Sequence, residues 1–479
     1  MRMPNSEQIS NEQKDIYQHA PSHGAVLIQG PPGTGKTVIA FLRAESLSNE
    51  EKKPAVIMFN RVLKEYTSNV PEDEMENANK ISISTKDSWF IEFFNKIKNE
   101  LEIIPSGNKK IYLPSCSFNQ KEKVKALKGD NGRPGGGWDK YNKCWYVWEN
   151  VYESNKELLK PMRSPKLKNF GDVMPRAGDQ DNNGSYRDID WDGIWKEFTE
   201  SIKKDPENLK NLHWGHLIID EGQDLDEKCY QLLDKIKEIG FYDLDEEKKP
   251  AITVFADENQ RLYPNNSSIQ EIKDSLAINE NHNFFTLTTN YRNTMQIAKL
   301  AEEFYTGIGE KPKKPTNEGD IPVLWVKKTL DEHLEFIVRY CINRAHEEIG
   351  IIVNNDADRK KISNFLKNND KLSDFNIQTY SYHDKNADKP YDLEFDKAKN
   401  ICIFNKQSCK GLEFDTVFLP ELQNFHNDDA AETSFKNDMY VMCSRARTAL
   451  HLMVSNEDEE KSLDILDRLP KDESIMEVR

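Results

Sequence analysis

The chain has 479 residues, too many for one domain core and enough for two to four. Hydrophobic residues make up 37%, charged residues 31% and aromatics 10%, so there is enough Trp, Tyr and Phe to build cores, and wholesale disorder is excluded. Sixty-six Lys and Arg against 82 Asp and Glu give a formal charge of −16, which excludes a general duplex-coating protein and confines any nucleic-acid contact to a local patch. The seven cysteines are scattered and form no C-x-x-C pair, so neither a disulfide framework nor a zinc site is signalled and a reducing, cytoplasmic setting is expected. No stretch approaches the roughly 18 apolar residues of a membrane span, and no membrane partner is expected.

In chain order, the apolar runs AVLIQ (25–29), AVIMF (55–59), HLIID (216–220), ITVFA (252–256), GIIV (350–353), ICIF (401–404) and VFLP (417–420) are separated by helical stretches. Short apolar runs ended by a polar turn read as parallel strands buried on both faces, and helices between them imply an α/β fold of two doubly wound units. The pattern lapses over residues 101–205, which reads as an insertion in the first unit, mainly helical, holding five of the eight tryptophans as its core. With 19 Lys and Arg against 16 Asp and Glu it is slightly positive, and its basic KPMRSPKLK (160–168) is a candidate for nucleic-acid contact. Residues 306–320 read as a linker or surface loop, and the acidic tail after 456 as one helix and a frayed terminus.

The chemistry begins at Gly30-Pro31-Pro32-Gly33-Thr34-Gly35-Lys36-Thr37, a G-x-x-x-x-G-K-[ST] sequence between the AVLIQ strand and a helical VIAFLRAESL. Backbone N–H groups of such a loop cradle phosphates at a helix N-terminus, Lys36 reaches the β and γ phosphates, and the Thr37 hydroxyl ligates Mg²⁺. ATP and Mg²⁺ are therefore the expected cofactors. Asp220 and Glu221 end the HLII run, where Asp220 is placed to hold Mg²⁺ and Glu221 to orient and deprotonate the attacking water.

Asp220-Glu221-Gly222-Gln223-Asp224 resembles the D-E-x-Q-D signature of superfamily 1 helicases of the UvrD/Rep/PcrA type, and further motifs follow in the family's order. Gln13 is similar to the family's adenine-reading glutamine. Gln260 in FADENQRLY resembles the glutamine that senses the γ-phosphate. TNYRNT supplies Tyr291 to stack on adenine and Arg292 to the γ-phosphate. KGLEFDTVFLP and YVMCSRAR resemble the last two motifs, with Gly411 lining the nucleotide site, Glu413 near the ribose and Arg445 as a second arginine finger. MFNRVLKEY and ISTKDSWF are similar to the motifs that line a single strand; Phe59 and Trp89 within them, and Tyr263 at the end of FADENQRLY, are candidate stacking platforms, and Asn60, Arg61 and Lys64 candidate phosphate contacts.

The resemblance implies two RecA-like P-loop NTPase domains: the first from 1–100 and 206–285, interrupted by the accessory subdomain 101–205, and the second from 286–479 with little or no large accessory insertion. It implies an ATP hydrolase acting as a DNA helicase or single-stranded DNA translocase with 3′→5′ polarity, on single-stranded or tailed duplex DNA. Two departures stand out: Pro264 follows Tyr263 where the family carries a stacking tryptophan, and the span from Arg292 to Lys410 is short. They keep open an ATP-gated subunit of a larger complex, with a nuclease or other protein partner, for instance in anti-phage defence. An RNA-acting motor also stays open, because the motifs grip backbone and stacked bases.

Overall fold

The computed structural model describes residues 9–58, 81–100, 110–113, 115–117, 120–129, 132, 134–139, 144–163, 176–180, 186–189, 195, 198–199, 207–260, 266–307, 311–381, 387–388, 392–395, 397–425 and 432–479. Chain contacts divide it into one unit of Met1–Ile83, His216–Leu225 and Ile252–Arg479 and a second of Ser84–Gly215 and Asp226–Ala251.

In the first unit, α1 (Asn11–His19) starts at a capping box in which Ser10 and Gln13 satisfy each other's backbone N–H groups. Strand β1 (Ala25–Gln29) leads through the glycine loop into α2 (Lys36–Asn49). Strands β2 (Pro54–Met58), β3 (Ser82–Thr85), β4 (His216–Ile219), β5 (Ala251–Ala256) and β6 (Phe284–Thr286) complete a six-stranded sheet in the order β6-β1-β5-β4-β2-β3. β1 runs parallel to β5 and β6, and β2 parallel to β4. Every residue of β2, β4 and β5 is buried, as expected of strands covered on both faces. Register sets Gln29 beside Ala256, and the Asp220 N–H donates to the Ile57 carbonyl at 2.9 Å. The glycine loop, Asp220 and Asp257 thus leave the sheet from one carboxyl edge, where open α/β sheets bind ligands.

After α3 (Met295–Glu303) the chain builds a second sheet from β7 (Val323–Lys327), β8 (Glu348–Val353), β9 (Asn376–Tyr380), β10 (Asn400–Asn405), β11 (Phe414–Leu419), β12 (Ala446–Ser455) and β13 (Glu477–Val478). Their order is β9-β10-β8-β11-β12-β7-β13, with parallel pairing at each of its six joins. Helices α4 (Leu330–Asn343) and α5 (Asp356–Lys367) turn Leu334, Ile337, Ile362 and Leu366 onto Ile349, Ile351 and Ile403 in one core cluster. Each such side chain contributes about 1.5–3 kcal/mol by leaving water. Helices α6 (Glu432–Cys443) and α7 (Glu459–Arg468) complete the unit. Two parallel sheets flanked by helices make this an α/β P-loop NTPase fold with two RecA-like sheets.

Two segments are more ordered than their composition suggests. The terminus does not fray: β13 pairs with β7, the Arg479 N–H donates to Leu324 O at 2.9 Å, and its guanidinium lies 5.6 Å from the Trp325 ring centroid. The 306–320 loop, where described, is pinned by a Thr289–Lys313 bridge, by the Met295 N–H on Asn317 O at 2.7 Å, and by Lys311 and Lys314 on Glu302.

In the second unit the insertion is not mainly helical among the described residues. An antiparallel sheet places Cys144–Trp148 between Lys110–Leu113 and Gly136–Asp139. Short helices at Lys121–Ala126, Glu149–Ser154 and Lys156–Arg163 close a core of Ile111, Leu113, Val124, Val147, Val151 and Leu159. The physical reason lies in CWYVW, whose large side chains pair across strands: Trp145 meets Trp138 edge to face at 5.8 Å. Of the five insertion tryptophans, Trp145 and Trp148 pack against this core.

Candidate active site

The glycine loop is shaped by two residues that no side chain can replace without strain. Gly33 and Gly35 have φ of 79° and 83°, and a Cβ on either would stand 2.3 Å from Asn290 Oδ1 or 2.4 Å from Gln13 Nε2. Lys36, buried, donates to the carbonyls of Gly30 at 2.6 Å and Pro31 at 3.2 Å, and stands 3.7 Å from Asp257. Gln13 donates to Thr34 O at 2.9 Å, and the Tyr291 N–H to Gly33 O at 2.8 Å. The loop is therefore gripped from both ends of the unit's sequence.

At the end of β4 the Thr37 hydroxyl donates to Asp220 Oδ2 at 2.7 Å. Both are hard oxygen donors, the set Mg²⁺ takes beside nucleotide phosphates, so the residues fit that ion. Glu221 sits in the left-handed region at φ 55°, a strained conformation of the kind found at functional sites. Gln223 donates to Glu221 Oε2 at 2.7 Å and accepts from the Asp257 N–H at 2.9 Å. Gln260 donates to Asp257 Oδ2 at 2.7 Å and accepts from Arg445 Nη2 at 3.2 Å. An unbroken chain of hydrogen bonds thus runs from Glu221 to Arg445.

The second half of the chain supplies further cations. Arg292 Nε meets Glu413 Oε2 at 2.6 Å, and Arg447 Nη2 meets Glu413 Oε1 at 3.1 Å. Lys410, fully buried, donates to Asp224 Oδ2 at 2.6 Å and to Gln260 O at 3.0 Å. A cavity of about 540 Å³ collects these groups, with Gln13, Lys36, Glu221, Gln260, Arg292 and Arg445 on its wall. Its size suits a nucleotide.

A family model described as an AAA domain, of the UvrD-like helicase type, matches residues 13–266, more than half of the chain. The chain belongs to the UvrD-like helicase family. It is also similar to the crystal structure of the C-terminal domain of a possible DNA helicase from Lactobacillus plantarum WCFS1, at 20% identity and a TM-score of 0.27, covering 39% of this chain and 97% of that one. A likeness that slight carries no argument.

The electrostatics of this UvrD-like site separate its two adjacent carboxylates. Burial, then the neighbouring Glu221 charge, push Asp220 up to about 7. Burial also opposes ionisation of Glu221, but Lys410 and Lys36 outweigh it and hold that group below the usual range. Glu413 is partly buried, which opposes its ionisation, yet Arg292 and Arg447 bring it down to about 2. Burial lowers the Arg445 guanidinium to about 10, and Arg292 acts the same way.

These shifts give a pH prediction. A carboxyl raised to about 7 keeps its proton in the ligand-free fold, and Mg²⁺ must displace it, so Mg²⁺-dependent nucleotide binding should weaken as pH falls through about 7. Glu221→Gln should move that midpoint lower, because the second cause of the shift is gone. Titration calorimetry with MgADP across this range checks it; a pH-independent affinity would remove Asp220 from the metal site.

Every proposed nucleotide residue is described, and the structure brings them to one edge. Gly30 and Pro31 contribute carbonyls to Lys36, Thr34 closes the loop through a 2.9 Å bond to Pro31 O, and Pro32, Gly411 and the exposed Tyr291 line the cavity. Trp89 belongs to the second unit, where its ring stacks on Phe93 at 4.7 Å and meets Phe90 edge-on at 5.0 Å. Phe59, Asn60, Arg61, Lys64 and Tyr263 lie outside the described residues. Sequence reasoning passed over Asp257, Lys410 and Arg447, although each stands inside a motif already noted. The signal was the motif itself: Asp257 opens DENQ, and Arg447 repeats Arg445 at a spacing of two.

Proposed function

We propose that this UvrD-like protein is an ATP-dependent DNA helicase or single-stranded DNA translocase, moving 3′→5′. The domains are read as 1–100 with 206–285, the insertion 101–205, and 286–479. The supporting observation is the convergence of the glycine loop, Glu221, Gln260 and two arginines from the second half of the chain, Arg292 and Arg445, on one cavity. On this reading Lys36 exchanges the Gly30 and Pro31 carbonyls for phosphate oxygens. Glu221 accepts the proton of the attacking water, and Gln260 transmits the state of the γ-phosphate to Arg445. Arg292 and Arg445 neutralise the charge that develops on the transferring group. Mg²⁺ at Thr37 and Asp220 supplies charge neutralisation on the phosphates when bound.

Steady-state ATPase with and without single-stranded DNA, followed by unwinding of a 3′-tailed duplex, tests the reading. Stimulation with unwinding is the expected result; hydrolysis indifferent to DNA would sink it. The Pro264 departure and the short span before Lys410 favour one second reading, a subunit that gates a nuclease or other partner without unwinding by itself. Stimulated hydrolysis with no unwinding would select that. A parallel RNA strand separates DNA from RNA action.

A further inference from the structure

The two arginine-bearing segments are joined by a carboxylate that both address. Glu413 takes Arg292 on Oε2 and Arg447 on Oε1, so each oxygen has its own guanidinium. Arg447 is in turn held by Asp415 Oδ1 at 3.2 Å, while Asp415 Oδ2 accepts the Glu348 N–H of β8 at 2.9 Å. A continuous relay therefore runs from the backbone of a buried strand, through Asp415, Arg447 and Glu413, to Arg292.

The register explains why Arg447 reaches Glu413. Phe414 pairs with Ala446 but Thr416 pairs with Ala449, so Arg447 and Thr448 together stand opposite Asp415 alone. Such a bulge re-aims side chains, as bulges beside active sites do. The Thr448 hydroxyl closes it by donating to Asp415 O at 2.8 Å, and the Thr294 N–H, two residues beyond Arg292, donates to Arg447 O at 3.1 Å. The backbone of Arg447 thus fixes the segment that carries Arg292, and its side chain fixes the carboxylate that orients the Arg292 guanidinium. Arg292 is engaged at Nε by Glu413 and at Nη1 by the Ser444 carbonyl at 3.4 Å, so on the ATPase reading Nη2 is the group offered to phosphate.

We infer that Arg447 is a positioning residue for the arginine finger: it holds Glu413, and Glu413 orients Arg292 for the γ-phosphate rather than serving only the ribose. This rests on the ATPase reading. The reading alone gives Glu413 a nucleotide-sugar contact, which would appear in ADP and ATP binding alike. Orientation of Arg292 appears only where a γ-phosphate is transferred.

The test compares the wild-type chain with Arg447→Gln, Arg447→Lys, Asp415→Asn, Glu413→Gln, Arg292→Gln and the Glu413→Gln/Arg447→Gln pair, measuring ATPase kcat and KM and, by calorimetry, MgADP affinity. Arg447→Gln should lower kcat about 10- to 100-fold, the scale of a misplaced catalytic group, with MgADP affinity within about twofold of wild type. Asp415→Asn should lower it less, Arg447→Lys should restore part of it, and the double variant should be no slower than Glu413→Gln, because the groups act in series. Wild-type kcat in Arg447→Gln, or ADP affinity falling in step with kcat, would overturn the inference. If Arg447→Gln does not fold, Asp415→Asn decides it by the same two readouts. Failure of the underlying reading looks different: a wild-type chain without ATPase, or full turnover in Arg292→Gln.

Discussion

Glu221→Gln is expected to lower ATP turnover by about 10²–10⁴-fold while leaving nucleotide binding close to wild type. The substitution keeps the shape and retains an oxygen to accept the 2.7 Å bond from Gln223, so the chain of contacts to Asp257 and Gln260 stays intact. What it removes is the charge that Lys410 and Lys36 keep available for a proton. Its effect on Asp220 acts in the opposite sense: with the neighbouring charge gone, that carboxyl ionises more easily and metal binding does not suffer. The loss should therefore appear in kcat and in single-turnover hydrolysis, with MgADP affinity unchanged or tighter. A variant that hydrolyses ATP at the normal rate would show that another group takes the proton.

Arg292→Gln is expected to be the second large effect, a loss of about 10³–10⁵-fold in kcat if the guanidinium acts as an arginine finger. The fold should survive, for a specific reason. Glu413 would lose one partner but keep Arg447 at 3.1 Å, so no partly buried carboxylate is left alone. MgADP affinity should be little changed, because the group acts on a phosphate that ADP lacks. The same substitution at Arg445 is less clean: that guanidinium is wholly buried and bonded to Gln260, Ser444 and the Val441 carbonyl, so its loss should also cost stability. Thermal unfolding beside the kinetics separates the two; equal losses of melting temperature would assign Arg292 a structural role.

The strands legible in the sequence were those buried on both faces. AVLIQ, HLII and ITVFA appear at nearly their observed limits, because a strand covered on both sides is apolar at most of its positions. Strands with a polar face or a short run were not legible. NIQTY is an edge strand with Gln378 bonded to Asn400, FFT is three half-buried residues, and the terminal Glu477–Val478 is a strand only because β7 offers it an edge. The strands in the described part of the insertion were missed for a related reason: aromatics suit a helical core and a strand ladder equally well, and only pairing across strands distinguishes them.

The same division holds at the site. Sequence by itself determined the phosphate loop, the Asp220-Glu221 pair and the order of the motifs, because each is a local pattern whose chemistry depends on neighbours in the chain. Tertiary structure alone decided which groups meet. Lys410 and Asp224 are 186 positions apart and form a buried ion pair, and Arg292 and Glu413, 121 positions apart, share one short contact. Arg447 joins them only through a one-residue slip between two parallel strands. Such partnerships depend on distance and burial, which set the strength of an electrostatic contact and which no local run of residues encodes.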